Sequence, residues 1–217
     1  ALATFTAEHD YDLKALMRLI LLSETYARSS TALPENRDDR RWFARAYPKR
    51  LMAEVLSDAI ADVTGVRDRY TETVLADGST QKAEGYDADT RALELRDSTV
   101  KNYFLDTFGR NAREITCECE RSSQPSLVQV LHLSNGTTLN DKLAAKEGRV
   151  TQLLATDPPP ARLVEDAWLL TLSRKPTDAE RKPFEEMLAT AAADEKRQIV
   201  EDMFWSLLTS REFLFRH

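Results

Sequence analysis

Two cysteines, Cys117 and Cys119, are the only thiols in the chain, and a single glutamate separates them. Around them, residues 108–143 gather Arg110, Asn111, Arg113, Arg121, His132 and Asn135 with no helical period to account for the polar clustering. Two thiolates supply half of a tetrahedral zinc site, but no further Cys or His stands nearby at ligand spacing. A bond between the two is strained, because in an extended strand their Cα atoms lie about 6.6 Å apart. The plainer reading is two small thiols on the inward face of a short strand. A metal or haem contact, a disulfide to another part of a longer chain, and a reactive nucleophile are the alternatives.

Arg110, Arg113 and Arg121 have the donor geometry to read a carboxylate, a sulfate or a sugar. Glu114, Glu118 and Glu120 lie close enough in sequence to neutralise them, so an internal salt-bridge network is the competing reading. His132 sits between Leu131 and Leu133 on a short amphipathic segment, where a hydrogen-bonded structural role outweighs catalysis. His9 and His217 carry no motif. No GxSxG, phosphate-binding glycine loop, HExxH or CxxCH occurs. Without CxxCH the segment attaches no c-type haem by the usual route, and no cofactor is expected within it. Arg50, Glu54 and Asp58, spaced four apart, read as an i,i+4 ladder on a helix surface.

The elements that must position these residues are mainly helical. Asp12 is a helix cap, with Leu13, Leu16, Met17, Ile20 and Leu21 on one stripe of a helix reaching about Tyr26. Residues 37–41 read as a solvated charged loop. Pro48 suits the first turn of a second helix carrying Leu51, Met52, Val55, Leu56, Ile60 and Val63, and Gly65 stops it. Residues 66–97 read as an inserted surface excursion with a small hairpin turning at Asp77-Gly78. Ser98 opens a helix to Phe108, with Val100, Tyr103, Phe104 and Phe108 inward.

From Ile115 the pattern alternates as one short extended segment. Pro125 then opens a helix with Leu127, Val128, Val130 and Leu131, and another starts near Thr138. The run Pro158-Pro159-Pro160 is the best internal boundary. Residues 161–217 form a C-terminal helical subregion, with Thr177 and Glu180 as a capping box and an apolar tail that docks on the body. The expected fold is one mainly α domain over residues 1–217, an irregular multi-helix bundle with a small β-hairpin excursion.

Composition narrows the class. Of 217 residues, 42% are apolar and 30% charged, and the net charge is −6. That balance suits a folded body and opposes nucleic-acid binding, which needs a clustered basic face. No apolar run approaches the ~18 residues of a transmembrane helix. The first residues show neither the basic start nor the apolar core of a signal peptide.

Four strings in order carry a resemblance: YDLKALMRLILLSETYARSS (11–30), PKRLMAEVLSDAI (48–60), FGRNAREITCECERSSQPSLVQVLHLSNG (108–136) and SREFLFRH (210–217). Together they resemble the C-terminal planctomycete-specific domain, a domain of unknown function, of large exported planctomycete proteins of the c-type cytochrome kind. The resemblance implies an exported protein, with this chain as the C-terminal part of a longer parent and any c-type haem confined to upstream domains. It defines no catalytic residue, and a role in polysaccharide use is suspected for such proteins by association only.

Three functions compete. The favoured one is a non-catalytic helical interaction or support domain packing on upstream cytochrome-type or catalytic domains of the parent chain. It predicts an exposed apolar face and no convergent cleft. The alternative is an acidic-glycan-binding or polysaccharide-processing domain with Arg110, Arg113 and Arg121 in a cleft. The third is a metal or redox site at Cys117 and Cys119.

Overall fold

The computed structural model describes residues 1–39, 41–96, 98–111 and 126–216. The chain divides into two compact units, residues 1–49 and 50–216. The fold is mainly α with two small two-stranded sheets. The extended segment expected from Ile115 lies outside the described residues.

In the first unit, α1 (Leu2–Glu8) and α2 (Leu13–Leu21) are joined by a turn in which Asp10 and Tyr11 take positive φ. Asp12 caps α2 as its sequence position implies, accepting from the N–H of Lys14 and Ala15 at 2.8 and 3.1 Å. The helix ends at Leu21 rather than near Tyr26, because Ser23 folds its hydroxyl back onto the Ile20 carbonyl. Further on, the Asp39 carboxylate accepts from the N–H of Arg41, Trp42 and Ala44, which holds it below the usual carboxylate range. That part of the charged loop is therefore organised around one acid.

The boundary between the units falls inside β1 (Lys49–Arg50), and the second unit continues with α3 (Ala53–Thr64). Pro48 was expected in the first turn of this helix. Instead the Leu51 N–H donates to the Leu214 carbonyl at 3.0 Å, which keeps the entry extended and delays the helix to Ala53. Leu56, Ile60 and Val63 are buried as their spacing requires, whereas Met52 is exposed. Gly65 ends α3 in the left-handed region at φ 71°.

The excursion forms β2 (Glu72–Val74) and β3 (Thr80–Lys82), antiparallel with Thr73 opposite Gln81. Its turn is at Asp77-Gly78, as the sequence implies, and Asp77 accepts from the Ser79 N–H and hydroxyl. Residues 99–101 extend the hairpin: Val74 N–H donates to Thr99 O and Lys101 N–H to Glu72 O. This pairing is why no helix starts at Ser98. It starts at Tyr103, capped by Asn102, as α4 (Tyr103–Thr107), and Tyr103 faces solvent rather than the core.

After the undescribed stretch come α5 (Leu127–Asn135), α6 (Thr137–Ala144) and α7 (Arg149–Ala155). Gly136 joins α5 to α6 where a Cβ would meet the His132 carbonyl oxygen at 2.1 Å, so the junction requires glycine. Pro159 and Pro160 cap and open α8 (Pro160–Leu172), and the triproline lies inside the second unit. Val150 before it and Leu163 after it belong to one buried cluster.

Then come α9 (Asp178–Thr190), α10 (Ala193–Leu208), α11 (Arg211–Leu214) and β4 (Phe215–Arg216), which pairs with β1. Helix α10 packs against α6, α7, α8, α9 and α11, while α3 packs against α4, α6 and α7. Phe204, Met203, Leu208, Leu56 and Phe108 fill the interior between them.

Candidate functional site

Where the sequence-nominated residues fall can be followed from α4 outward. Arg110 leaves the end of α4 and folds back one turn onto Asp106, Nη2 to Oδ1 2.6 Å, with its side chain almost wholly buried. It borders a hollow of about 400 Å³ together with Lys101 and Ser98. His132 stands on the other element packed at α4, its ring 5.2 Å from Tyr103, 5.7 Å from Phe104 and 6.1 Å from Phe108. Burial pushes its pKa below the ordinary value, which disfavours the protonated imidazole.

Gln129 ties the two elements, its Nε2 donating to Thr107 O at 3.0 Å. Asn111 directly follows Arg110, and Asn135 ends α5. Arg113, Cys117, Cys119 and Arg121 lie outside the described residues. Among the described residues no three His, Cys, Asp or Glu side chains converge as a metal site.

The four-residue spacing of Arg50, Glu54 and Asp58 implies a surface ladder, which the structure does not form. Asp58 instead is 3% exposed, and its carboxylate accepts from the Ala92 N–H at 2.7 Å and the Leu93 N–H at 3.2 Å. Arg91 adds its Nε at 3.5 Å. Asp58 thus fastens the far end of the excursion to α3. Glu54 is also buried. Arg50 is not on the helix at all: its Nη2 donates to Phe108 O at 2.9 Å, with the guanidinium 5.4 Å above the Phe108 ring.

A second tie runs through α6, where the buried Lys142 ammonium meets Asp68 Oδ1 and Val66 O, each at 2.8 Å. Ser57 donates to the other Asp68 oxygen at 3.2 Å. Burial, with the Asp68 charge beside it, pushes the Tyr70 hydroxyl up to about 12. The sequence signal for these ties was weak, since single acids in loops carry no periodicity.

Where α3 ends, the chain builds a cleft, which the interaction reading of the sequence does not expect. Arg67, Arg69 and Arg149 line a hollow of about 350 Å³ with Asp62, Asp89 and Glu147. Arg67 Nη2 and Arg91 Nη2 each reach one oxygen of Asp62 at 3.0 Å. The excursion and the start of α7 bring these arginines together from positions about eighty residues apart in sequence.

Fold and site together define a helical domain with a buried polar framework and an arginine-lined cleft. The chain belongs to the PSD1 family, protein of unknown function (DUF1553), whose profile matches residues 1–188. The match takes in both units and ends within α9, so the closing string 210–217 lies outside it. No curated protein and no solved structure matches the chain.

Proposed function

We propose that this chain is a non-catalytic helical interaction or support domain of an exported multidomain protein, packing on upstream cytochrome-type or catalytic domains of its parent. The observation that carries the reading is α2. Seven of its nine residues are apolar and none is buried; Leu13 and Met17 are 61% and 60% exposed. Only Lys14 and Arg18, four apart on one side, are polar. A helix so apolar over most of its circumference belongs against another surface. Independently, in the second unit, Leu127, Val128, Val130 and Leu131 of α5 are each more than half exposed. Export and cytochrome association rest on the resemblance of the four strings alone.

The acidic-glycan alternative is less favoured, because Arg110 is already engaged by Asp106. Its other two arginines, and the thiols of the metal alternative, lie outside the described residues.

Hydrogen exchange separates the readings. In the isolated chain the α2 amides exchange quickly, and in the full parent chain they are slowed at least tenfold. Equal α2 exchange in both forms would overturn the proposal.

A further inference from the structure

The geometry points to an oxyanion-binding site in the cleft lined by Arg67, Arg69 and Arg149, taking a small ligand through a carboxylate, sulfate or phosphate group. It lies within the second unit and is independent of the interaction reading, which rests on α2.

The argument starts from how little of the guanidinium capacity is used. Each guanidinium carries five N–H donors in a planar fork that matches two acceptor oxygens at once. Asp62 is the acid nearest to hand, but both its oxygens are taken, one by Arg67 and one by Arg91. Arg149 reaches only the main-chain carbonyl of Asp62, at 3.4 Å, and makes no ion pair among the described residues. Arg69 is exposed and has no partner among them.

Two donors, Arg67 Nη1 and Arg149 Nε, are shielded from water without an acceptor among the described residues. An oxyanion supplies what such donors lack: several lone pairs, a formal charge, and bidentate geometry. The hollow is of a size that holds a small ligand.

Asp89 and Glu147 also border the space, and neither makes an ion pair among the described residues. The three guanidinium groups of the lining are matched in number by Asp62, Asp89 and Glu147, but Asp62 is already taken up by Arg67 and Arg91, so it is the unused donors of Arg69 and Arg149 that favour an anionic group. The body around the cleft is acidic, since the chain as a whole carries −6. Binding is therefore local rather than steered from a distance, and it weakens with added salt.

The test uses the whole chain, titrated in turn with sulfate, inorganic phosphate and acetate at constant ionic strength. The arginine Nε–H resonances are followed by NMR. The expected result is a saturable shift of the Arg149 Nε–H with at least one of the three anions. Response to sulfate and phosphate but not acetate identifies a tetrahedral oxyanion; response to acetate identifies a carboxylate. Arg69→Gln, at an exposed position, is expected to weaken binding at least fivefold while circular dichroism is unchanged. Arg162→Gln, on the surface of α8, leaves binding as in the native chain. No saturable shift with any anion, or equal weakening by both substitutions, would overturn the assignment.

Discussion

At the scale of single residues, Asp58 shows why a charged side chain ends up inside. Its carboxylate accepts from two backbone N–H groups of the excursion, the buried one of Ala92 and the part-buried one of Leu93. Leaving such donors unmet costs about 1–3 kcal/mol each. Asp58→Ala is therefore expected to destabilise the protein by about 3 kcal/mol in urea unfolding, and Asp58→Asn, which keeps an acceptor oxygen, by less. Equal losses for the two variants would show that the negative charge, rather than the acceptor, is what matters. The four-residue spacing from Arg50 through Glu54 to Asp58 suggested a surface ladder because sequence records helical phase but not which phase faces inward. The deciding partners of Asp58 stand thirty-four and thirty-five residues away, and nothing local announces them.

At the scale of elements, starts and stops were legible wherever the cap is made by the chain's next few residues. Asp12, Thr177 with Glu180, Gly65 and the Asp77-Gly78 turn all act where their types and spacing imply. Boundaries were misplaced where a distant strand intervenes, as at Pro48 and at Ser98, because the competing hydrogen bonds come from Leu214 and from the hairpin. The α9 cap also carries a pH dependence. Glu180 is held well below its ordinary pKa, first by hydrogen bonding to Arg174 and then by the Thr177 N–H, and Arg174 is shared with Glu212 at 2.6 Å. A carboxylate whose folded pKa is depressed stabilises fully above its unfolded value, 4.5, and loses that contribution as pH falls toward the lower folded value. Stability is thus expected to decline from pH 5.5 to pH 3, and Glu180→Gln should remove part of that decline. The side chains are about one-third exposed, so 1 M salt should shrink the difference between variant and native chain. Identical slopes for the two proteins between pH 5.5 and pH 3 would show that the Arg174 clamp does not couple to folding.

At the scale of the whole molecule, the division at residue 49 has a direct physical signature. Every buried hydrophobic residue described, from Ala53 to Phe213, belongs to the second unit. Composition could not reveal this, because Leu13, Met17 and Ile20 carry the same apolar stripe that marks a core helix elsewhere in the chain. Periodicity reports that a face is apolar; it does not report what meets it. The core within residues 50–216 thus has what an independent fold needs, whereas α1 and α2, at seven and nine residues, fall below the ~12–15 residues at which isolated helices become stable in water. A chain beginning at Arg50 is accordingly expected to melt cooperatively, with a Tm within about 4 °C of the full chain, since a 1 kcal/mol change moves a domain of this size by about 2–4 °C. The peptide of residues 1–49 alone should show only weak helical circular dichroism. A shortened chain that loses cooperativity, or melts more than about 10 °C lower, would mean that the first unit is an integral part of the fold, and its apolar helix would then need no outside surface.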